Sequence, residues 1–86
     1  MPQASDPTAS TAPVVEVDAT GLSCPMPVIE LAKAVKDVEV GQVVLLLATD
    51  PAAKVDVPVW CRMQRQQLAG QVEVDGVWRF EVRRVH

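Results

Sequence analysis

The sequence predicts a two-layer α/β domain in which one mixed four-stranded sheet carries two helices on one face. Three observations predict it: apolar segments of strand length, apolar residues at helical spacing between them, and an Asp-Gly pair near the C-terminus. The element order is strand–helix–strand–helix–strand–strand. A right-handed strand–helix–strand connection makes the first two strands parallel.

The first half of the chain supplies a strand, a helix and a second strand. In residues 14–18, valines alternate with Glu16 and Asp18, as in a half-buried strand. Apolar residues recur at helical spacing over residues 28–38, which predicts a helix. Residues 42–49 form a continuous run rich in valine and leucine, which predicts a central strand buried on both faces.

A second helix follows, and proline positions predict its start. Asp50 and Pro51 fit the N-cap and first position of a helical turn. Because Pro58 would interrupt a longer helix, the main helix is predicted to start around Asp56. It is predicted to end near Gly70, since glycine is typical just after a helix. The residues expected on its apolar face are Val57, Trp60, Cys61 and Leu68.

The chain is predicted to end in a β-hairpin. Residues 71–74 and 77–82 flank Asp75-Gly76, the dipeptide favoured in a two-residue type I′ turn. The apolar residues of both strands are expected on one face of the hairpin and the charged residues on the other. The apolar set is Val72, Val74, Trp78, Phe80 and Val82; the charged set is Arg79, Glu81 and Arg83.

The N-terminal composition predicts a tail rather than part of the domain. Residues 1–13 are rich in Pro, Ala, Ser and Thr, so they are interpreted as disordered and residues 14–86 as the folded domain. The tail lacks the basic start and apolar stretch of a secretory signal, and residues 43–48 are far shorter than the ~20 of a membrane helix. We therefore expect a cytoplasmic protein with reduced thiols.

Charge and residue counts exclude several classes of function. The net charge is −3, which argues against direct nucleic-acid binding because that requires clustered Lys and Arg. Cys24, Cys61 and His86 are fewer than the four ligands of a structural zinc site. They form no Cys-x-x-Cys redox pair, and a protease pairing would need a histidine from the chain end. No metal and no cofactor are expected.

Cys24 is the candidate reactive residue because it stands at the predicted start of the first helix. If Pro25 is the first helical residue, Cys24 is the N-cap and Pro27 falls where an N–H would lack a helical partner. Gly21 permits the preceding turn. The N–H of Met26 and the helix dipole would then stabilise a thiolate. This predicts a lowered thiol pKa and an outward-facing sulfur that could also carry a persulfide.

Simpler interpretations of these residues stay open. Cys24 could be a small buried hydrophobe, as a lone cysteine often is. Cys61, beside Trp60 within the second helix, is interpreted as core, and His86 as a solvated tail residue. Three arginines on the last strand are interpreted as a solvated face or a protein-docking patch: Arg79, Arg83 and Arg84.

Two segments of the chain resemble one known family. The first is Asp18-x-x-Gly21-Leu22-x-Cys24-Pro25-x-Pro27, and the second is Asp50-Pro51-Ala52-x-x-x-Asp56-x-Pro58-x-Trp60-Cys61. Residues 15–84 are similar throughout to the TusA/SirA-like sulfur-carrier proteins. The chain has Thr20 and Ser23 where members often carry basic residues.

The resemblance implies a two-layer α/β sandwich that holds sulfane sulfur as a persulfide on Cys24. It implies a cysteine desulfurase or rhodanese-like protein as sulfur donor, another protein as acceptor, and a stoichiometric, sulfurtransferase-like relay. Family pathways include tRNA thiolation, molybdenum cofactor assembly and sulfur-compound oxidation.

A second class of function remains open, a non-catalytic interaction or regulatory module with an unreactive Cys24. The apolar central strand should leave some apolar surface on the face without helices, which a partner or a second copy in a weak homodimer could cover. The two hypotheses differ at Cys24. A carrier's thiol should alkylate fast at neutral pH, and a module's thiol should not.

Overall fold

A computed structural model of the protein describes residues 12–86, and its six elements follow the predicted order. The predicted α/β class is confirmed. The predicted tail lies outside the described residues except for residues 12 and 13. The elements are β1 (Val15–Ala19), α1 (Met26–Asp37), β2 (Val43–Ala48), α2 (Ala53–Gln64), β3 (Gln67–Val74) and β4 (Val77–Arg83).

The four strands form one mixed sheet in the order β1-β2-β4-β3. β1 pairs parallel with β2, and β4 pairs antiparallel with both β2 and β3. α1 is the crossover between the two parallel strands, as a strand–helix–strand unit requires. β2 is therefore a central strand, and the burial of all its residues but Leu47 agrees with its continuous apolar sequence.

The core lies between the sheet and the two helices. Each helix turns one apolar face towards the sheet, and removing these side chains from water is the main stabilising contribution. The core residues are Val44 and Leu46 of β2, Phe80 and Val82 of β4, Leu31 and Val35 of α1, and Ala53, Val57 and Cys61 of α2.

The central strand leaves less apolar surface on the other face of the sheet than predicted. Val43 and Leu45 of β2 alternate with the core residues and so point to this face, opposite Arg83 and Glu81 of β4. They are nevertheless only 1% and 6% exposed. Their register partners are long charged side chains, whose aliphatic parts can cover apolar neighbours.

The hairpin turn is as predicted, but the orientation of its first strand is not. Asp75 and Gly76 have φ values of 51° and 82°, both positive as a type I′ turn requires. This two-residue turn sets Val72 opposite Arg79. Because directly opposite residues share a face, Val72 lies with Arg79 on the helix-free face and not with Phe80.

α2 begins earlier than predicted and is not interrupted by its proline. It starts at Ala53 rather than around Asp56, and Pro58 lies inside it. The proline removes one helical hydrogen bond. Val57 and Cys61, on either side of it, are buried against the sheet, and this burial keeps the helix continuous.

α2 also ends earlier than predicted, at Gln64. Arg65 takes the left-handed conformation there with a φ of 58°, and the next N–H, from Gln66, donates to the Cys61 carbonyl at 2.9 Å. Gly70 lies instead in β3, beside an irregularity in the pairing with β4. A Cβ at that position would lie 2.9 Å from Oε1 of Glu81, the end of a flexible side chain that a larger residue could displace.

Candidate functional site

The candidate site lies where the loops after the two parallel strands meet. Ala19 and Ala48 are neighbours at the carboxyl ends of β1 and β2, and each strand is followed by a loop that leads into a helix. Cys24 lies in the first of these loops. It is half-buried and packs against the core cluster. This edge of the sheet is where α/β proteins usually place their sites.

Two hydrogen bonds join these loops and fix the backbone around the cysteine. The N–H of Gly21 donates to Oγ1 of Thr49 at 2.8 Å, and the N–H of Cys24 donates to Oδ2 of Asp50 at 2.9 Å. The second carboxylate oxygen of Asp50 accepts the N–H of Ala52 at 2.9 Å, so Asp50 caps the turn before α2 as predicted. Its contact with Cys24 was not predicted from the sequence.

Gly21 and Pro27 shape the two ends of this loop. Gly21 has a φ of 81°, in the left-handed region that favours glycine, while an added Cβ would meet no atom within 4 Å. The backbone conformation, and not space, is therefore what favours glycine here. Pro27 is fully buried in the first turn of α1, where a missing N–H removes no helical bond.

Cys24 is not the N-cap of α1, contrary to the prediction. The cap is Pro25, whose carbonyl accepts the N–H of Ile29 at 3.0 Å. The Cys24–Pro25 peptide bond is cis. The N–H of Met26 donates to the carbonyl of Ser23 at 2.9 Å. The predicted bond from this N–H to a thiolate is therefore wrong, because a tight turn before the helix already uses the donor.

The thiol of Cys24 lies beside carboxylates. Burial, a side-chain hydrogen bond with Asp56, and the negative charges of Asp56 and Asp50 raise its pKa from 9.0 to about 11. The lowered pKa predicted from the helix dipole is wrong, because the thiol is partly buried, precedes the cap and lies beside two carboxylates. Fast alkylation at neutral pH is therefore not expected of the free domain under either function, so this test no longer separates a carrier from an interaction module. The measurement that separates them is sulfur loading.

The rate of Cys24 alkylation should instead keep rising as the pH is raised well above neutral. Only the thiolate reacts, and its fraction rises about tenfold per pH unit below the pKa. With a thiol pKa of about 11, the rate with iodoacetamide should rise roughly a thousandfold from pH 7 to pH 10. Mass spectrometry of the Cys24 peptide measures this rate. A plateau near neutral pH would contradict the carboxylate environment.

Cys61 and His86 lie away from Cys24. Cys61 is 3% exposed within α2, and burial raises the pKa of its thiol to about 11, which confirms its interpretation as core. His86 is exposed, but Nε2 of its ring lies 2.9 Å from the carbonyl oxygen of Gln64 at the end of α2. Neither residue forms a catalytic pair with Cys24.

The three arginines near the C-terminus do not form one surface. Arg83 donates through Nη1 to the carbonyl of Gly41 at 2.7 Å. Arg84 donates through Nη1 to the carbonyl of Val38 at 2.7 Å, just beyond the end of α1. Arg79 and Arg83 both lie on the helix-free face of the sheet, whereas Arg84 lies at the end of α1. Two of the three therefore bind backbone carbonyls of the chain itself.

The described part of the chain contains no candidate metal centre. Within residues 12–86, no three His, Cys, Asp or Glu side chains come together in a way that could hold an ion. In the same residues, no helix has both the length and the apolar character needed to cross a membrane.

The fold and the site define a small α/β domain that presents one accessible cysteine in the loop before its first helix. The sequence model of a family described as sulfurtransferase TusA matches residues 15–84. The chain belongs to this TusA family of sulfur carrier proteins, which confirms the resemblance seen in its sequence.

Two curated relatives carry sulfur-carrier descriptions. The sulfur carrier protein TusA of Pseudomonas entomophila is 40% identical over 68 residues, covering 79% of this chain and 85% of that protein. A putative sulfur carrier protein of Archaeoglobus fulgidus is 44% identical over 69 residues, covering 79% of this chain and 90% of that protein.

A solved structure supports the fold. The crystal structure of the SirA-like protein from Desulfitobacterium hafniense superposes with a TM-score of 0.74 at 27% sequence identity. The match covers 84% of this chain and 99% of that protein. The order of strands and helices described above is therefore that of a SirA-like domain.

Proposed function

We propose that the protein holds sulfane sulfur as a persulfide on Cys24 and relays it to a partner protein. The observation that carries this proposal is the contrast between its two thiols. Cys24 is half-buried in a loop fixed by Asp50, whereas Cys61 is enclosed in the core. Membership of a family of sulfur carriers supports the same role.

The transfer conserves atoms and electrons without an external oxidant. The thiolate of Cys24 attacks the terminal sulfur of a donor persulfide, so a new S–S bond forms on Cys24. The donor S–S bond breaks, and its electron pair leaves with the donor thiolate. In the second transfer an acceptor thiolate attacks the same terminal sulfur, and the thiolate of Cys24 leaves.

The raised pKa of Cys24 has two consequences for this relay. Few thiolates are present at neutral pH, which slows loading by chance encounters. A thiol of high pKa is also a poor leaving group, so the loaded persulfide should lose its sulfur slowly to small thiols. An environment that holds the sulfur between two specific transfers suits a carrier.

The partners follow from this chemistry. We propose a cysteine desulfurase or a rhodanese-like protein as donor, because both present a protein persulfide whose terminal sulfur can be attacked. The acceptor is a protein that supplies sulfur to tRNA thiolation, cofactor assembly or sulfur-compound oxidation. The cytoplasm is the proposed compartment, since a free thiol requires reducing conditions.

A loading experiment tests the proposal. The protein is incubated with a low-molecular-weight persulfide above pH 9 and digested, and the masses of its peptides are measured by mass spectrometry. We expect the Cys24 peptide to gain ~32 Da, the mass of one sulfur, and a reducing agent to reverse the gain. The alternative function, a non-catalytic interaction module, predicts no gain on this peptide.

A further inference from the structure

The charged side chains closest to the sulfur are negative. Asp50 accepts the N–H of Cys24 at 2.9 Å, and Asp56 of α2 is the other carboxylate that, after burial, contributes to the raised pKa of the thiol. Lys54, on the same turn of α2, is directed elsewhere, because its Nζ lies 5.3 Å from the ring centroid of Trp78. The cation near the start of α2 is therefore already engaged, while the two carboxylates face the site.

The position of Asp56 on α2 explains its contact with the loop before α1. Asp56 lies one turn before Trp60, so the two share a side of the helix. Trp60 lines a groove of about 260 Å³ between the helices, together with Ala32 of α1. Asp56 thus occupies the side of α2 that faces α1, near the end where Cys24 lies.

The surroundings of the site are those of a protein contact. Leu22 and Met26 flank Cys24 in sequence and are exposed, and Ile29 is exposed one helical step beyond Met26. Val59 is exposed on α2, one turn beyond Val55, which is also exposed. Large exposed apolar side chains beside a site are typical of surfaces that a partner protein covers.

We infer that the protein which exchanges sulfur with Cys24 places a lysine or arginine side chain against Asp56 and Asp50. This rests on the proposed function and adds the chemistry of the partner. Charge complementarity carries the argument, because a cation in this position offsets both carboxylates where the reacting anion forms. It stabilises the Cys24 thiolate as the attacking group in loading and as the leaving group in unloading. Sulfur transfer then depends on docking rather than on collision with small molecules.

Charged thiol reagents test the potential at the sulfur in the free protein. The cationic trimethylammonioethyl and the anionic sulfonatoethyl methanethiosulfonate each form a disulfide with Cys24 and release methanesulfinate. We expect the cationic reagent to react at least about fivefold faster, since reversing a unit charge about 8 Å from one carboxylate in water changes the rate by about that factor. In Asp56→Asn, the preference should fall by about the same factor.

Asp37→Asn is the matched control, since it removes the same charge at the opposite end of α1, about 16 Å away along the helix. It should leave the ratio of the two rates unchanged. If Asp56→Asn does not fold, high salt provides a second measurement, because screening should bring the wild-type ratio towards one. Equal rates in the wild type at low salt, or equal changes in both variants, would overturn the inference.

A donor comparison separates this inference from the proposed function. The persulfide of cysteamine is cationic and that of glutathione is anionic, and both can be offered to the wild type. Faster loading of Cys24 by the cationic donor is the expected result. Loading at equal rates contradicts the cationic partner and leaves the carrier function intact. The opposite result is also possible: the cationic methanethiosulfonate reacts faster, but no persulfide forms on Cys24. That result contradicts the carrier function and leaves the charge argument intact.

Discussion

Cys24→Ser is expected to abolish sulfur loading, whereas Cys61→Ala should retain about one sulfur per chain. Serine keeps the size of the side chain and the N–H that binds Asp50, but its oxygen cannot form the S–S bond. Cys61 is 3% exposed in the core, where a donor cannot reach it. Intact-mass measurement after incubation with a persulfide gives the number of sulfurs carried by each variant.

Alanine is the better control at position 61, because serine would bury a hydroxyl among apolar side chains. Circular dichroism should show that both variants remain folded. Sulfur found on Cys61 in the Cys24→Ser variant would refute the assignment of the site. Equal loading of the two variants would refute it as well.

Phe80→Ala should have the largest effect on stability, a loss of about 3–5 kcal/mol in the free energy of unfolding. Phe80 is fully buried in β4 and lies opposite Leu46 of the central strand. The total free energy of unfolding of a small domain is only about 5–15 kcal/mol, so this variant should be close to unfolded. Urea titration followed by the fluorescence of Trp60 and Trp78 measures the change.

Val72→Ala is the matched control for the core substitution. Val72 is 53% exposed on the helix-free face, and its truncation should change the free energy of unfolding by no more than about 0.5 kcal/mol. If Phe80→Ala does not fold, Phe80→Leu should show a smaller loss in the same direction. Similar losses at positions 72 and 80 would contradict the described core.

The fold could be predicted because strand and helix periods are local properties of the sequence. The run at residues 43–48 indicated the central strand, and Asp75-Gly76 indicated the hairpin turn. The ends of α2 could not be predicted in the same way. Pro58 is tolerated because Val57 and Cys61 pack on the sheet, a contact that the local sequence does not contain.

The location of the site could be predicted, but its electrostatics could not. The Cys-Pro-x-Pro segment indicated a cysteine just before a helix, and Cys24 is found there. The carboxylate that binds its N–H is 26 residues away in sequence, on Asp50. The loops after β1 and β2 meet only because these strands pair in parallel. From the neighbouring residues alone, the helix dipole was the only influence on the thiol pKa that could be inferred. The second family segment, residues 50–61, contains Asp50 and Asp56. It was the sequence signal that could have indicated carboxylates near Cys24.

The carboxylates beside Cys24 also affect how long the sulfur survives between encounters. Peroxide and related oxidants attack thiolates, and the sulfinic and sulfonic acids they produce cannot take up sulfane sulfur. A thiol held in its protonated form by burial and by Asp56 and Asp50 resists this damage. The same two side chains that delay the reaction therefore extend the working lifetime of the domain in a cell exposed to oxidants.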